Sequence, residues 1–185
     1  MLISGEKVRL RPATPNDFPQ MITWSRDEEV NRYLEGEFPK TIDEYSVWLK
    51  KLNSDRHAKH FAIVTLPDSR LIGDIQLDHI TWRSGDAELR IRIGERHLWD
   101  KGYGTDAIVA LLQHAFENMT LSRIYLRVFS SNLRAIRCYE KAGFRKEGRL
   151  KRRSTDGQMK EIILMSILRD QFLRSSPSSQ DARIA

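Results

Sequence analysis

With 185 residues, 40% of them hydrophobic, the chain can build one domain with a substantial core and is too short for two ordinary ones. A single cysteine, Cys138, excludes an internal disulfide. The first twelve residues lack a signal-type apolar run, and the longest apolar stretch, residues 162–168, falls far below the roughly 20 residues a membrane span needs, so a cytoplasmic protein is expected. The net charge of +6 admits phosphate, nucleic acid or another acidic ligand. The basic cluster of Arg145, Lys146, Arg149, Lys151, Arg152 and Arg153 reads equally as a solvated strand face.

Residues 8–11 alternate apolar and basic side chains and predict a first strand, followed by turn signals at Pro12, Pro15 and Asn16. Two short helices are expected over 18–24 and 28–34. Thr41 and Glu44 have capping-box spacing, and Tyr45, Trp48, Leu49 and Leu52 then recur at i, i+3, i+4 and i+7, which predicts an amphipathic helix. Strands over 60–65 and 71–78 form a hairpin around Pro67, Asp68, Ser69 and Arg70. In the next strand, 87–93, Leu89, Ile91 and Ile93 share one face while Glu88, Arg90 and Arg92 share the other. A long helix follows Gly104 through Ile108, Leu111, Leu112, Ala115 and Phe116. A strand over 124–128, a helix over 132–142 closed by Gly143, and strands over 144–152 and 161–168 turning at Asp156 and Gly157 complete the chain. A loose polar tail is expected from 173 to 185, beyond a single domain of 1–172. The order is mixed α/β, in the α+β sense, with antiparallel hairpins at both ends, and is not doubly wound.

Trp99, Asp100, Lys101, Gly102, Tyr103, Gly104 and Thr105 lead into the long helix. Glycines at 102 and 104 allow close backbone approach, so successive amides and the positive helix end can converge on phosphate oxygens. Two glycines before a helix also mark ordinary turns. This loop resembles the acetyl-CoA motif Gln/Arg-x-x-Gly-x-Gly/Ala of the GCN5-related N-acetyltransferases (GNAT), with Trp99 in place of Gln or Arg and Asp100 where Gly is common. Asn132, Ala135, Tyr139, Gly143 and Phe144 match a second segment of that family, Asn-x-x-Ala-x-x-x-Tyr-x-x-x-Gly-Phe. The resemblance covers about residues 7–168. It implies the GNAT fold, with a mixed, mostly antiparallel sheet of about seven strands split near the acetyl-CoA site, and acetyl-CoA as cosubstrate. Trp99 is familiar in the ribosomal-protein N-terminal (RimJ/RimL-like) branch.

Asn132 and Tyr139 lie seven residues apart on one helix face, about 10 Å at 1.5 Å per residue, a span that suits a pantetheine arm. The resemblance implies that Asn132 hydrogen-bonds this arm, that Tyr139 protonates the departing thiolate, and that the backbone of Ile91, Arg92 and Ile93 pairs with the arm. It also points to Glu88 as the base that deprotonates the amine. Tyr139 could otherwise be a core aromatic, and Glu88 a structural partner of Arg90 or Arg92. Cys138 is turned about 100° away from Tyr139, so no acetyl-cysteine is expected. His79, His97 and His114 lack metal-ligand spacing and read as surface residues; no metal is implied.

The favoured function is acetyl transfer to a protein N-terminal α-amine. The enzymatic alternative is a polyamine of the spermidine type or another small amine, with Glu28, Glu29, Glu35 and Glu37 as acidic residues near the acceptor. A non-catalytic acyl-CoA-binding or nucleic-acid-binding module is the rival from another class. Membrane and nucleic-acid partners are not expected, and a homodimer is open.

Overall fold

The computed structural model describes residues 1–34, 38–153 and 157–175. Eight strands form one sheet in the order β1-β2-β3-β4-β5-β6-β8-β7. They are β1 (Ile3–Ser4), β2 (Val8–Arg11), β3 (Lys59–Thr65), β4 (Leu71–Thr81), β5 (Asp86–Ile93), β6 (Arg123–Phe129), β7 (Arg145–Arg153) and β8 (Met159–Leu168). The helices are α1 (Phe18–Arg26), α2 (Glu28–Asn31), α3 (Ile42–Ser54), α4 (Tyr103–Asn118), α5 (Leu133–Lys141) and α6 (Arg169–Ser175). The eighth strand, relative to the seven expected, is β1, whose two residues are too few to show a periodicity.

Period-2 alternation divides β5 between two layers. Ile91 and Ile93 pack against the main core with Ile108, Leu111, Leu112 and Phe116 of α4, each of which stabilises the fold by roughly 1.5–3 kcal/mol on burial. On the opposite face α1 and α3 enclose a smaller cluster of Phe18, Met21, Trp24, Val30 and Tyr45. Tyr45 stacks on Phe18 at 5.5 Å, and its hydroxyl lies 2.7 Å from Ser25 Oγ. Thr41 caps α3 by accepting from Glu44 N, while Glu44 accepts from Lys40 N, one residue before the amide of a standard capping box.

All sheet neighbours are antiparallel except β5 and β6, which run parallel and pair only at Asp86 with Arg123, Ala87 with Ile124 and Glu88 with Tyr125. Beyond Glu88 and Tyr125 the two strands diverge and the sheet opens as a V. At the far edge all nine residues of β7 are exposed. The basic cluster therefore lies on an edge strand, where charge opposes pairing with another edge.

Of the boundaries that differ from expectation, two bear on the site and the core. Helix α2 stops at Asn31, and α6 occupies the start of the expected tail, with Phe172 buried 5.6 Å from the Phe116 ring. Glu35, Glu37, Asp156 and residues 176–185 lie outside the described residues. Among the described residues no helix is long and apolar enough to cross a membrane.

Candidate active site

The opening of the V is one continuous cavity of about 760 Å³, reaching from the start of α4 to the face covered by α1–α3. Its wall on one side is the free edge of β5. Gly94 N donates to Ile72 O, which turns the backbone of Arg92 and Arg90 toward β4 by antiparallel alternation and that of Leu89, Ile91 and Ile93 toward the gap. Ile91 and Ile93 therefore offer backbone groups as expected, although Ile93 O is taken by Trp99 Nε1 at 2.8 Å. Arg92 is reassigned. Its backbone faces β4, and its side chain is buried on the other face against the Asp74 carboxylate, 4.2 Å from the Phe38 ring.

At the mouth, Gly102 caps α4 with φ 85 and Asp100 has φ 59, both left-handed. The bond from Asp106 N to Gly102 O is the first of the helix, so the amides of Tyr103, Gly104 and Thr105 have no i−4 acceptor and can serve an anion. The Asp106 carboxylate accepts from the amides of Glu6, Lys7 and Val8 at 2.8–3.0 Å and fixes the β1–β2 turn against this end. Lys7, Arg134, Arg137 and Lys141 join the lining. The last three recur at i, i+3 and i+7 on α5, a basic face that the spacing could have revealed. The Arg134 guanidinium lies 3.5 Å from the Trp99 ring centroid. Trp99, Asp100, Gly102, Gly104 and Thr105 line the cavity, whereas Lys101 and Tyr103 do not: the Lys101 carbonyl accepts from Lys7 Nζ at 3.0 Å, and that ammonium sits 5.7 Å from the Tyr103 ring.

Helix α5 connects Phe129, at the open end, to Arg145, whose partner Ser166 pairs with Tyr125 at the vertex. It therefore runs inward along the cavity. Asn132 caps it at the mouth, its Oδ1 accepting from Ala135 N at 3.3 Å, which leaves its amide NH₂ to donate to a ligand. Tyr139 lies deeper, its ring edge-on to Phe144 at 6.0 Å. Burial, with a smaller push from Cys138, holds the Tyr139 phenol above its ordinary pKa, and its hydroxyl has no hydrogen-bond partner among the described residues. It is a neutral donor facing the cavity. Burial likewise raises the Cys138 thiol, against the opposing effect of Thr105 Oγ1 at 3.3 Å. A thiol held protonated is a weak nucleophile.

On the α1–α3 face the cavity is bounded by Tyr33, Phe38, Trp48, Asp74, Gln76, Glu88 and Arg90. Glu88 is clasped across the split by Arg127, with Nε 2.9 Å from Oε1 and Nη2 3.1 Å from Oε2; His79 Nδ1 is 3.1 Å from Oε2 and Arg90 3.8 Å away. Arg127, on a different strand, is a partner sequence reasoning missed. Asp74 uses only Oδ2 toward Arg92. Behind Trp48, at 4.7 Å, burial lowers the His60 pKa to about 4, so that ring stays neutral.

The family model for the acetyltransferase (GNAT) domain matches residues 7–145. The chain belongs to the GNAT acetyltransferases. It is similar to the spermidine N(1)-acetyltransferase of Vibrio cholerae, 27% identical over 93% of this chain and 99% of that protein, and to that of Escherichia coli K12, 29% identical over 92% and 90%. A crystal structure of the Vibrio cholerae spermidine N-acetyltransferase with CoA and spermine superposes with a TM-score of 0.81 at 26% identity, covering 90% of this chain and 98% of that one. The chain is thus an acetyl-CoA-dependent N-acetyltransferase of α/β GNAT fold. The cavity fits this cosubstrate: free helix-end amides and four cations for phosphates, then a bare strand edge for an extended amide arm.

Gly104 offers a test of this GNAT loop. An added Cβ would stand 3.4 Å from Cys138 Sγ and 3.7 Å from Ile93 Cγ1, ordinary contacts that the fold tolerates. Gly104→Val is expected to weaken acetyl-CoA binding roughly ten- to a hundredfold, equivalent to one or two charge-assisted hydrogen bonds, with little change in Tm. Unchanged affinity by calorimetry would remove the loop from the account.

Proposed function

We propose that the acceptor is a small aliphatic amine of the polyamine class, which enters from the α1–α3 side and attacks the acetyl thioester directly. Tyr139 would serve as general acid and Glu88 as proton acceptor. The observation that carries the acceptor assignment is the makeup of this lobe. Tyr33, Phe38 and Trp48 line it with aromatic surface, and Asp74 Oδ1, which makes no hydrogen bond among the described residues, can accept from an ammonium. The spermidine N-acetyltransferase relatives support the same reading.

An alkylamine with pKa near 10.4 is well below roughly 0.1% neutral at pH 7, whereas an α-amine near 8 is about 10% neutral, so this substrate class depends on a proton acceptor. Glu88 lies in the cavity wall. A carboxylate has about four lone-pair directions, and three are directed to Arg127 and His79, leaving one for the acceptor or a bridging water. As the C–N bond forms and the C–S bond breaks, Tyr139 Oη gives its proton to the leaving sulfur, and the second proton shed by the acylated nitrogen restores the phenol.

The ribosomal-protein branch suggested by Trp99, with a protein N-terminus as acceptor, ranks second. A screen of thiol release from acetyl-CoA with spermidine, putrescine and peptides bearing free N-termini decides between them. The proposal expects kcat/KM for spermidine to exceed that for every peptide by tenfold or more. A peptide preference would overturn it.

A further inference from the structure

Each transfer to an alkylammonium releases a proton beside Glu88, whose side chain is only 4% exposed. A proton resting there would set a neutral acid against the Arg127 guanidinium, so the cycle needs an exit. His79 meets the geometric requirements. Its Nδ1 touches Glu88 Oε2 at 3.1 Å, while its side chain is 63% exposed. One end of the ring thus contacts the buried carboxylate and the rest reaches solvent.

The backbone around His79 is arranged for this contact. Asp78 pairs with Glu88, so in a regular strand the next side chain, that of His79, would point to the opposite face. The β4–β5 register instead breaks between Asp78 and Thr81, and His79 adopts φ 50, a left-handed conformation uncommon for non-glycine residues. The break turns the ring onto the face of Glu88. A carboxylate clamped by arginine on one side and joined to an exposed imidazole on the other is a short path from cavity to bulk water.

We propose that His79 is the proton outlet of the acceptor lobe, a positioning residue that acts through Glu88; the proposal rests on the acetyl-transfer reading above. The acceptor's N–H bond breaks and its proton passes to the Glu88 carboxylate, leaving the electron pair on nitrogen for attack. The proton moves on to His79 Nδ1, and the exposed imidazolium swings into solvent, loses that proton from Nδ1 to water and returns, so the carboxylate and the Nε2–H imidazole are both regenerated. The charged groups around the ring are Glu88 and Arg90 on β5, Asp78 on β4 and, through Glu88, Arg127 on β6.

The test compares wild type with His79→Asn, chosen because asparagine tolerates positive φ, and with His79→Gln, which keeps a hydrogen-bonding side chain. kcat for spermidine is measured from pH 6 to 9.5 with and without added imidazole, alongside thermal stability. Both variants are expected to lose roughly tenfold or more in kcat at pH 7 with KM for acetyl-CoA unchanged, the deficit narrowing as pH rises and partly restored by imidazole. In Glu88→Gln, imidazole should restore nothing. A wild-type profile, or a uniform loss at every pH that ignores imidazole, would overturn the outlet. Wild-type enzyme that acetylates no amine would overturn the functional reading, and the outlet with it.

Discussion

Replacing Tyr139 by phenylalanine is expected to lower kcat by roughly 10²- to 10⁴-fold while leaving KM for acetyl-CoA nearly unchanged. The factor corresponds to about 2.7–5.4 kcal/mol of transition-state stabilisation, far more than the loss of one exposed hydroxyl. The phenol is neutral, faces the cavity and lies toward the vertex of the split, where the reacting end of an arm threaded from the α4 terminus would arrive. Phenylalanine keeps the ring and its edge contact with Phe144 at 6.0 Å, so the variant isolates the proton. Single-turnover measurement separates chemistry from product release. Wild-type single-turnover rates would reduce Tyr139 to a packing residue.

The second large effect concerns stability. Arg92 and Asp74 form an ion pair whose side chains are 3% and 9% exposed, roofed by Phe38 and Trp24 and supported by a contact from Arg92 Nη1 to Ser25 Oγ. Removing one partner of such a pair strands a buried charge, so Asp74→Ala should destabilise the fold by roughly 3–5 kcal/mol and lower Tm by about ten degrees. Arg92→Met added to Asp74→Ala removes the stranded charge and should recover a large part of that loss. Calorimetric melting of the two single variants and the double variant forms the cycle. Additive losses would mean that the pair is not coupled and that the lobe is held by its aromatic contacts alone.

The glycine-rich turn and the helix start behind it were legible because their signals are local. Gly102 at positive φ and a helix start two residues before Thr105 fall within a single turn of chain, and the Asn132-to-Phe144 segment is one short helix with its caps. Where the structure departs from the reading, the cause is long-range. Alternation along β5 correctly divides Arg92 from Ile91, but it cannot say that Asp74 waits opposite, or that Arg92's backbone faces β4 while that of Ile93 faces the gap. Glu88 does meet Arg90 on its own face, at 3.8 Å, but the two-pronged clasp comes from Arg127, 39 residues away, and Arg92 pairs with Asp74 instead. Asp106 binds amides some 100 residues earlier, which no window of sequence displays. His79 was read as a surface residue, and its side chain is 63% exposed; its contact with Glu88 depends on the break in the ladder, which alternation does not display. Asn132 was placed as the first residue of its helix, whereas it is the residue that caps it. The basic face of Arg134, Arg137 and Lys141 carries a plain helical period that a test for charge would have found.

Direct transfer from acetyl-CoA to an amine within this cavity is the central claim, and rapid-mixing measurement of CoA thiol release tests it most directly. With enzyme and acetyl-CoA alone the account predicts no thiol. Once spermidine is added, it predicts one thiol per molecule of acetylated amine. A burst of one thiol per enzyme before any amine is present would signal an acetyl-enzyme, with Cys138 the side chain to examine, and would contradict direct transfer.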